Sequence, residues 1–158
     1  MPSLRSVLDP GCVAVNVAAV DKQAALATLV DMIAASGTTR DGAGLLQAVL
    51  DREALAPTGI GSECAIPHAQ TDSVAETRMA ALRLATPLDF GAPDGSPARL
   101  VFLIVGPKDS AAQHLRLLSR LARVLSDDDI RSRLLDVPDS GAFVETLFST
   151  DPPPSACA

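Results

Sequence analysis

The sequence has no tryptophan and no tyrosine, and only four phenylalanines. Aromatic platforms on which nucleic-acid bases could stack are therefore missing. Positive charge is short as well: 13 lysines and arginines against 19 aspartates and glutamates leave a formal net charge of -6. Nucleic-acid binding draws its affinity from a basic face, so this balance argues against it. The cysteines, Cys12, Cys64 and Cys157, are odd in number and form no Cys-x-x-Cys pair. They offer no disulfide framework and suit a reducing compartment. No apolar run reaches the roughly 20 residues that a bilayer span needs. Met1 to Pro10 lacks the charged-then-apolar order of a signal segment. A cytoplasmic protein without direct membrane insertion is expected.

What is present is a globular composition, 47% hydrophobic and 20% charged over 158 residues, enough for one domain with a real core. "CVAVNV", Cys12 to Val17, is valine-rich and reads as a strand. "DKQAALATLVDMIAASG" places Ala25, Leu26, Leu29, Val30 and Ile33 at helical spacing, with Asp21 as its cap and Gly37 at its C′ position. "AGLLQAVLDREAL" repeats the pattern through Leu45, Leu46, Val49 and Leu50. "CAI" is a short strand stopped by Pro67, which cannot donate to a ladder and keeps Ile66 extended.

Met79 to Leu84 reads as a further strand. "DFGAPDGSPA" is a turn region that reverses the chain into "RLVFLIVGP", a continuous apolar run expected at the centre of the sheet. "SAAQHLRLLSRLARVLS" forms a long amphipathic helix with Leu115, Leu118, Leu121, Ala122 and Leu125 inward; helices from "DDDIRSRLLD" and "DSGAFVETLFS" follow. Alternation of strands and helices predicts an α/β fold, a mixed sheet with helices on both faces. The domain is expected over residues 1–149, with 150–158, "TDPPPSACA", a loose tail.

The two histidines are His68 and His114. His68 follows the strand that ends in proline, so its ring is expected beyond the sheet, in the kind of crevice where open α/β sheets hold ligands. Gly59 and Gly61 would let backbone amides, that of Ile60 among them, approach an anion closely. A neutral imidazole is a competent nucleophile that forms covalent intermediates. Position alone leaves open a capping histidine without chemistry.

The run "DREALAPTGIGSECAIPHAQ" resembles the active-site signature of the type-2 EIIA domains of the bacterial phosphoenolpyruvate-dependent phosphotransferase system, the fructose, mannitol and nitrogen-regulatory branch. The likeness continues through "PLDFGAPDGSPARLVFLIVGP" and "HLRLLSRLARVLSDDDIRSRLL", three motifs in order from Leu4 to about Phe148. It implies a mixed, roughly five-stranded sheet flanked by helices. It also implies that the histidine of "AIPH", His68, accepts a phosphoryl group from phospho-HPr or its nitrogen-branch counterpart. The group then passes to an EIIB partner, or the phosphorylation state is read by regulatory target proteins. The resemblance gives Arg52 the task of holding phosphoryl oxygens and sets His114 facing the His68 ring; Gly59, Ile60 and Gly61 would add backbone amides. No cofactor and no metal are implied.

These residue types fit the chemistry, since phosphoryl transfer asks mainly for positioning and charge stabilisation. A guanidinium offers planar donors that match phosphate oxygens. Other readings stand beside these. Arg52 could simply satisfy helix-terminal carbonyls, and His114 could sit on a solvated helix end. Two positions depart from the usual family pattern: Gln70, where Arg or Lys is frequent, and Glu63, where glycine is frequent and which would bring an anion near the site. Arg116, Arg120 and Arg123 form a stripe along one helix, either a solvated face or a docking surface for an acidic partner. A Cys64–His68–His114 hydrolase or zinc site would lack an orienting acid and a ligand set of recognisable spacing.

Overall fold

The computed structural model describes residues 3–151. A single helical turn, α1 (Leu4–Val7), leads into β1 (Leu8–Val17), followed by α2 (Lys22–Ala35) and α3 (Gly42–Leu55). Three short strands come next, β2 (Gly59–Gly61), β3 (Cys64–Ala65) and β4 (His68–Gln70), then the long strands β5 (Arg78–Leu88) and β6 (Ala98–Gly106). A 3-10 turn at Lys108–Ser110 opens α4 (Ala111–Leu125), and α5 (Asp128–Asp136) and α6 (Ser140–Phe148) complete the described chain.

The sheet runs β1-β5-β6-β3-β2, with β4 also on β6. β1 is parallel to β5, β5 antiparallel to β6, and both β3 and β4 parallel to β6. β6 is the apolar run picked out in the sequence. Every residue from Leu100 to Gly106 is buried, and since successive side chains point to opposite faces, helices must cover both. Phe102 meets Phe143 of α6 on one face, with ring centroids 6.1 Å apart. α2 packs on β5 and on α3.

Local signals hold at the helix ends. The Asp21 carboxylate accepts from the Ala24 amide at 2.8 Å and starts α2; Gly37, at φ +86°, follows its end. β1 begins four residues before the expected Cys12. It can include Pro10 because it is an edge strand whose register slips between Leu8 and Val13, where a missing amide costs no ladder bond.

α4 is turned relative to the expected face. Its buried residues are His114, Leu117, Leu121 and Leu125, whereas Leu115 is 64% exposed and Ala122 is exposed. In "HLRLLSRL" two leucine phases compete, and packing against the sheet selects the one that carries the histidine inward. At the end of the chain, Thr150 and Asp151 are held rather than loose. The Asp151 carboxylate accepts from the amides of Leu4 (2.8 Å) and Arg5 (3.1 Å) and from Arg120 (2.9 Å). The rest of the expected tail, with Cys157, lies outside the described residues.

Candidate functional site

Pro67 divides what would be one strand into β3 and β4. β3 pairs with Leu100 and Val101 of β6, and β4 with Ile104, Val105 and Gly106; between them the Pro67 carbonyl accepts from the Ile104 amide at 3.1 Å. His68 therefore opens a strand of its own on the central strand, instead of projecting past the sheet edge as the sequence suggested. The proline is what makes this useful. It holds Ile66 extended, and the Ile66 carbonyl accepts a hydrogen bond from His68 Nδ1 at 2.9 Å. A carbonyl can only accept, so Nδ1 carries the proton, and in the neutral ring Nε2 keeps its lone pair. The ring is half-buried.

His114, on the first turns of α4, is 5% exposed, and its ring centroid lies 5.5 Å from that of His68 with the planes tilted by 56°. Neither of its ring nitrogens has a hydrogen-bond partner among the described residues. Burial, and secondarily the neighbouring His68, push its pKa down to about 4, so the ring is neutral near pH 7. A buried polar group without a partner is costly, and an imidazole so placed calls for an acceptor that none of the described residues supplies.

Two clefts of about 270 Å³ each share Arg52, His68 and Leu118. One is walled by Pro57, Thr58, Gly59 and Ile60, the other by Gln70, His114 and Leu115. Arg52 sits in the last turn of α3, where its Nη1 donates to the Ala56 carbonyl at 3.1 Å, the helix-terminal bond that was one reading of it. The residue lines both histidine clefts. The fold thus brings together His68, His114, Arg52, Gly59, Ile60 and Gln70.

Gly59 and Gly61 take a different part from the expected one. The Gly59 amide already donates to the Phe90 carbonyl at 2.9 Å, and a Cβ there would stand 2.8 Å from Phe90 O and Ala92 N. Gly61, at φ +95°, lines neither His68 cleft; a Cβ there would stand 2.9 Å from the Asp94 carboxylate. The hairpin turn does hold an anion, but it is the chain's own Asp94. That carboxylate accepts from the Ser62 amide (2.9 Å) and from the Ser96 amide and hydroxyl (2.9 and 2.7 Å), which bring its pKa down to about 2. Glu63 lies at this hairpin tip, at φ +65°, and not beside His68. A backbone position with φ of this sign favours glycine. Cys64 lines neither cleft, and burial pushes its thiol up to about 12, too weak an acid to serve as a nucleophile.

One residue the sequence reading passed over is Glu53. It is 7% exposed and falls in step with Leu45 and Val49 on the buried face of α3. Its carboxylate accepts from the Thr58 amide and hydroxyl and from Lys22 Nζ at 3.1 Å; Lys22 also lies over the Phe90 ring. The beginnings of α2 and β2 and the end of α3 are tied together behind the cleft wall. A carboxylate on the apolar stripe of a helix was the available signal.

A paired-imidazole cleft on a proline-broken strand beside the central one, inside a mixed α/β sheet, is the class that fold and site define. Residues 6–149 match the family described as phosphoenolpyruvate-dependent sugar phosphotransferase system, EIIA 2. The chain is 40% identical over 126 residues to the fructose-specific EIIA component of Haloferax volcanii, covering 80% of this chain and 82% of that one. It is 32% identical over 147 residues to a nitrogen regulatory protein of Pseudomonas aeruginosa, covering 93% and 96%. The crystal structure of nitrogen regulatory protein IIA-Ntr from Neisseria meningitidis superimposes with a TM-score of 0.81 at 27% identity, over 89% of this chain and 96% of that one. The protein belongs to the type-2 EIIA family of the phosphotransferase system. No helix among the described residues is long and apolar enough to cross a membrane.

Proposed function

We propose that the protein is a phosphohistidine carrier. Nε2 of His68 attacks the phosphorus of the phosphohistidine on HPr or its nitrogen-branch counterpart. The donor's N–P bond breaks, its electron pair returns to the donor ring, and a new N–P bond forms on His68. A cysteine or histidine of an EIIB partner then attacks the same phosphorus and His68 recovers its lone pair. No cofactor enters either step.

The observation that carries this reading is the bond from His68 Nδ1 to the Ile66 carbonyl, which commits one nitrogen and leaves the other for phosphorus. While the phosphoryl group is bound the ring is cationic, and its Nδ1–H donates to that carbonyl more strongly. His114 supplies an N–H donor to a phosphoryl oxygen, and in doing so gains a partner that no described residue provides. Arg52 offers its free guanidinium nitrogens to the others. Around the site, Ile60 and Leu115 are exposed apolar residues on the two cleft walls, suited to contact with a partner protein.

The test is intact mass after incubation with phospho-HPr. Wild type should gain one phosphoryl group and His68→Ala none; normal labelling of His68→Ala ends the assignment. A second reading is a regulatory protein whose targets sense the phosphorylation state of His68, and the near full-length likeness to nitrogen regulatory proteins favours it. Donation from the phosphorylated protein to a sugar-specific EIIB supports transport. Failure to donate, together with a target protein that binds only one phosphorylation state, supports regulation.

A further inference from the structure

A separate cleft of about 460 Å³ lies between the C-terminal half of α4, both ends of α5 and the residues after α6. It shares no residue with the two His68 clefts. Arg120, Arg123 and Arg133 line it, together with Asp127 and the apolar side chains of Val124 and Ile130. Arg120 is neutralised, its Nη2 donating to Asp151 Oδ1 at 2.9 Å and to the Thr150 carbonyl at 3.0 Å. Asp127 has its own task, Oδ1 accepting from the amides of Asp129 and Ile130 at the start of α5.

Arg123 and Arg133 have no ion pair and no side-chain hydrogen bond among the described residues. Each stands in the last turn of its helix, where a cation complements the helix dipole. That effect accounts for one arginine at each end. It does not require guanidiniums from two helices to converge on one concave surface, least of all in a chain of net charge -6.

We propose that this cleft binds a small organic phosphate. The forks of Arg123 and Arg133 hold phosphate oxygens, and Val124 and Ile130 receive the apolar part of the molecule. The volume lies in the range of small-ligand sites, about 300–1,000 Å³. Occupancy is independent of phosphoryl transfer at His68, so this site stands or falls apart from the function proposed above.

Calorimetric titration with pyrophosphate as probe tests it. Wild type and His68→Ala should bind with the same Kd, about 1 mM or tighter, and added salt should weaken both. The double variant Arg123→Ala/Arg133→Ala should bind at least about tenfold more weakly, a loss of one bidentate charge contact or more, while still accepting a phosphoryl group on His68. Absence of binding to wild type, binding retained by the double variant, or binding lost in His68→Ala would each overturn the proposal. Citrate binding tighter than pyrophosphate would overturn the phosphate assignment.

Discussion

Glu53 and Thr58 are joined twice, the Thr58 hydroxyl donating to Oε2 at 2.6 Å and its amide to Oε1 at 3.2 Å. Both residues are buried, and Lys22 closes the group. Glu53→Ala strands the amide, the hydroxyl and the ammonium together, and should cost about 3 kcal/mol, in the range for breaking a buried charged network. Glu53→Gln, which keeps an acceptor, should cost less. Urea denaturation measures both, and an alanine variant as stable as wild type would remove this account of the cleft wall.

In the proposed carrier, Arg52 and His114 act on the phosphoryl group and not on the nucleophile. Arg52→Ala and His114→Gln should each slow phosphoryl acceptance about 10²-fold, the effect of losing one donor to a transferring group. Arg52→Ala loses only an exposed bond to the Ala56 carbonyl, so its stability should stay within about 1 kcal/mol of wild type. Rapid-quench phosphotransfer and thermal melting on the same samples separate the two effects; unchanged rates in both variants would dismiss their roles.

The tip of the β2–β3 hairpin is a two-residue turn with Ser62 at φ +54° and Glu63 at φ +65°. Positive φ at both positions is the geometry that favours Asn-Gly. Glu63→Gly should therefore raise stability by about 1 kcal/mol, the strain of one left-handed non-glycine residue. The rate of phosphoryl acceptance should not change, since Glu63 is remote from the clefts. A slower rate would return Glu63 to the neighbourhood of the site.

Gly59→Ala reports on the opposite side of that hairpin. The new methyl would meet Phe90 O and Ala92 N at 2.8 Å, and backbone cannot rotate away as a side chain can. A loss of about 1–3 kcal/mol is expected, as for other overpacked sites. If the glycine serves only an incoming anion, stability will be unaffected and phosphoryl acceptance alone will fall.

The pH dependence has a definite sign. His114 has a pKa of about 4 in the folded protein against 6.5 for the free side chain. Between these values the unfolded chain binds a proton that the folded one refuses, so stability falls as pH drops through this window and the contribution levels off below about 4. The melting temperature of wild type should fall more from pH about 7 to about 5 than that of His114→Gln. Equal falls would mean that the His114 ring is not the group responsible. The Asp94 carboxylate works in a lower window, its contribution lost only as pH falls from 3.8 towards about 2.

Legibility differed by element. Where a signal is local it was sufficient: Asp21 and Gly37 bound α2, the continuous apolar run marks β6, and the "DFGAPDGSPA" turn joins two antiparallel strands. Three things were not legible. β2 and β4, three residues each, are too short for any periodicity and exist because neighbouring strands pair with them. The phase of α4 depends on which of two leucine rows meets the sheet. The use of Gly59 and Gly61 depends on the Phe90–Asp94 segment, about thirty residues further along the chain.

By itself, the sequence determined the fold class, the family, and the presence of His68 behind a proline, because helix caps, apolar runs and the proline's effect on Ile66 act within a few residues. Tertiary structure alone decided which nitrogen of His68 is free, that His114 is buried and neutral, and that Glu53 braces the wall of the cleft. Each of these turns on a hydrogen bond made or denied, or on solvent excluded, and burial is a property of the packed elements around a residue.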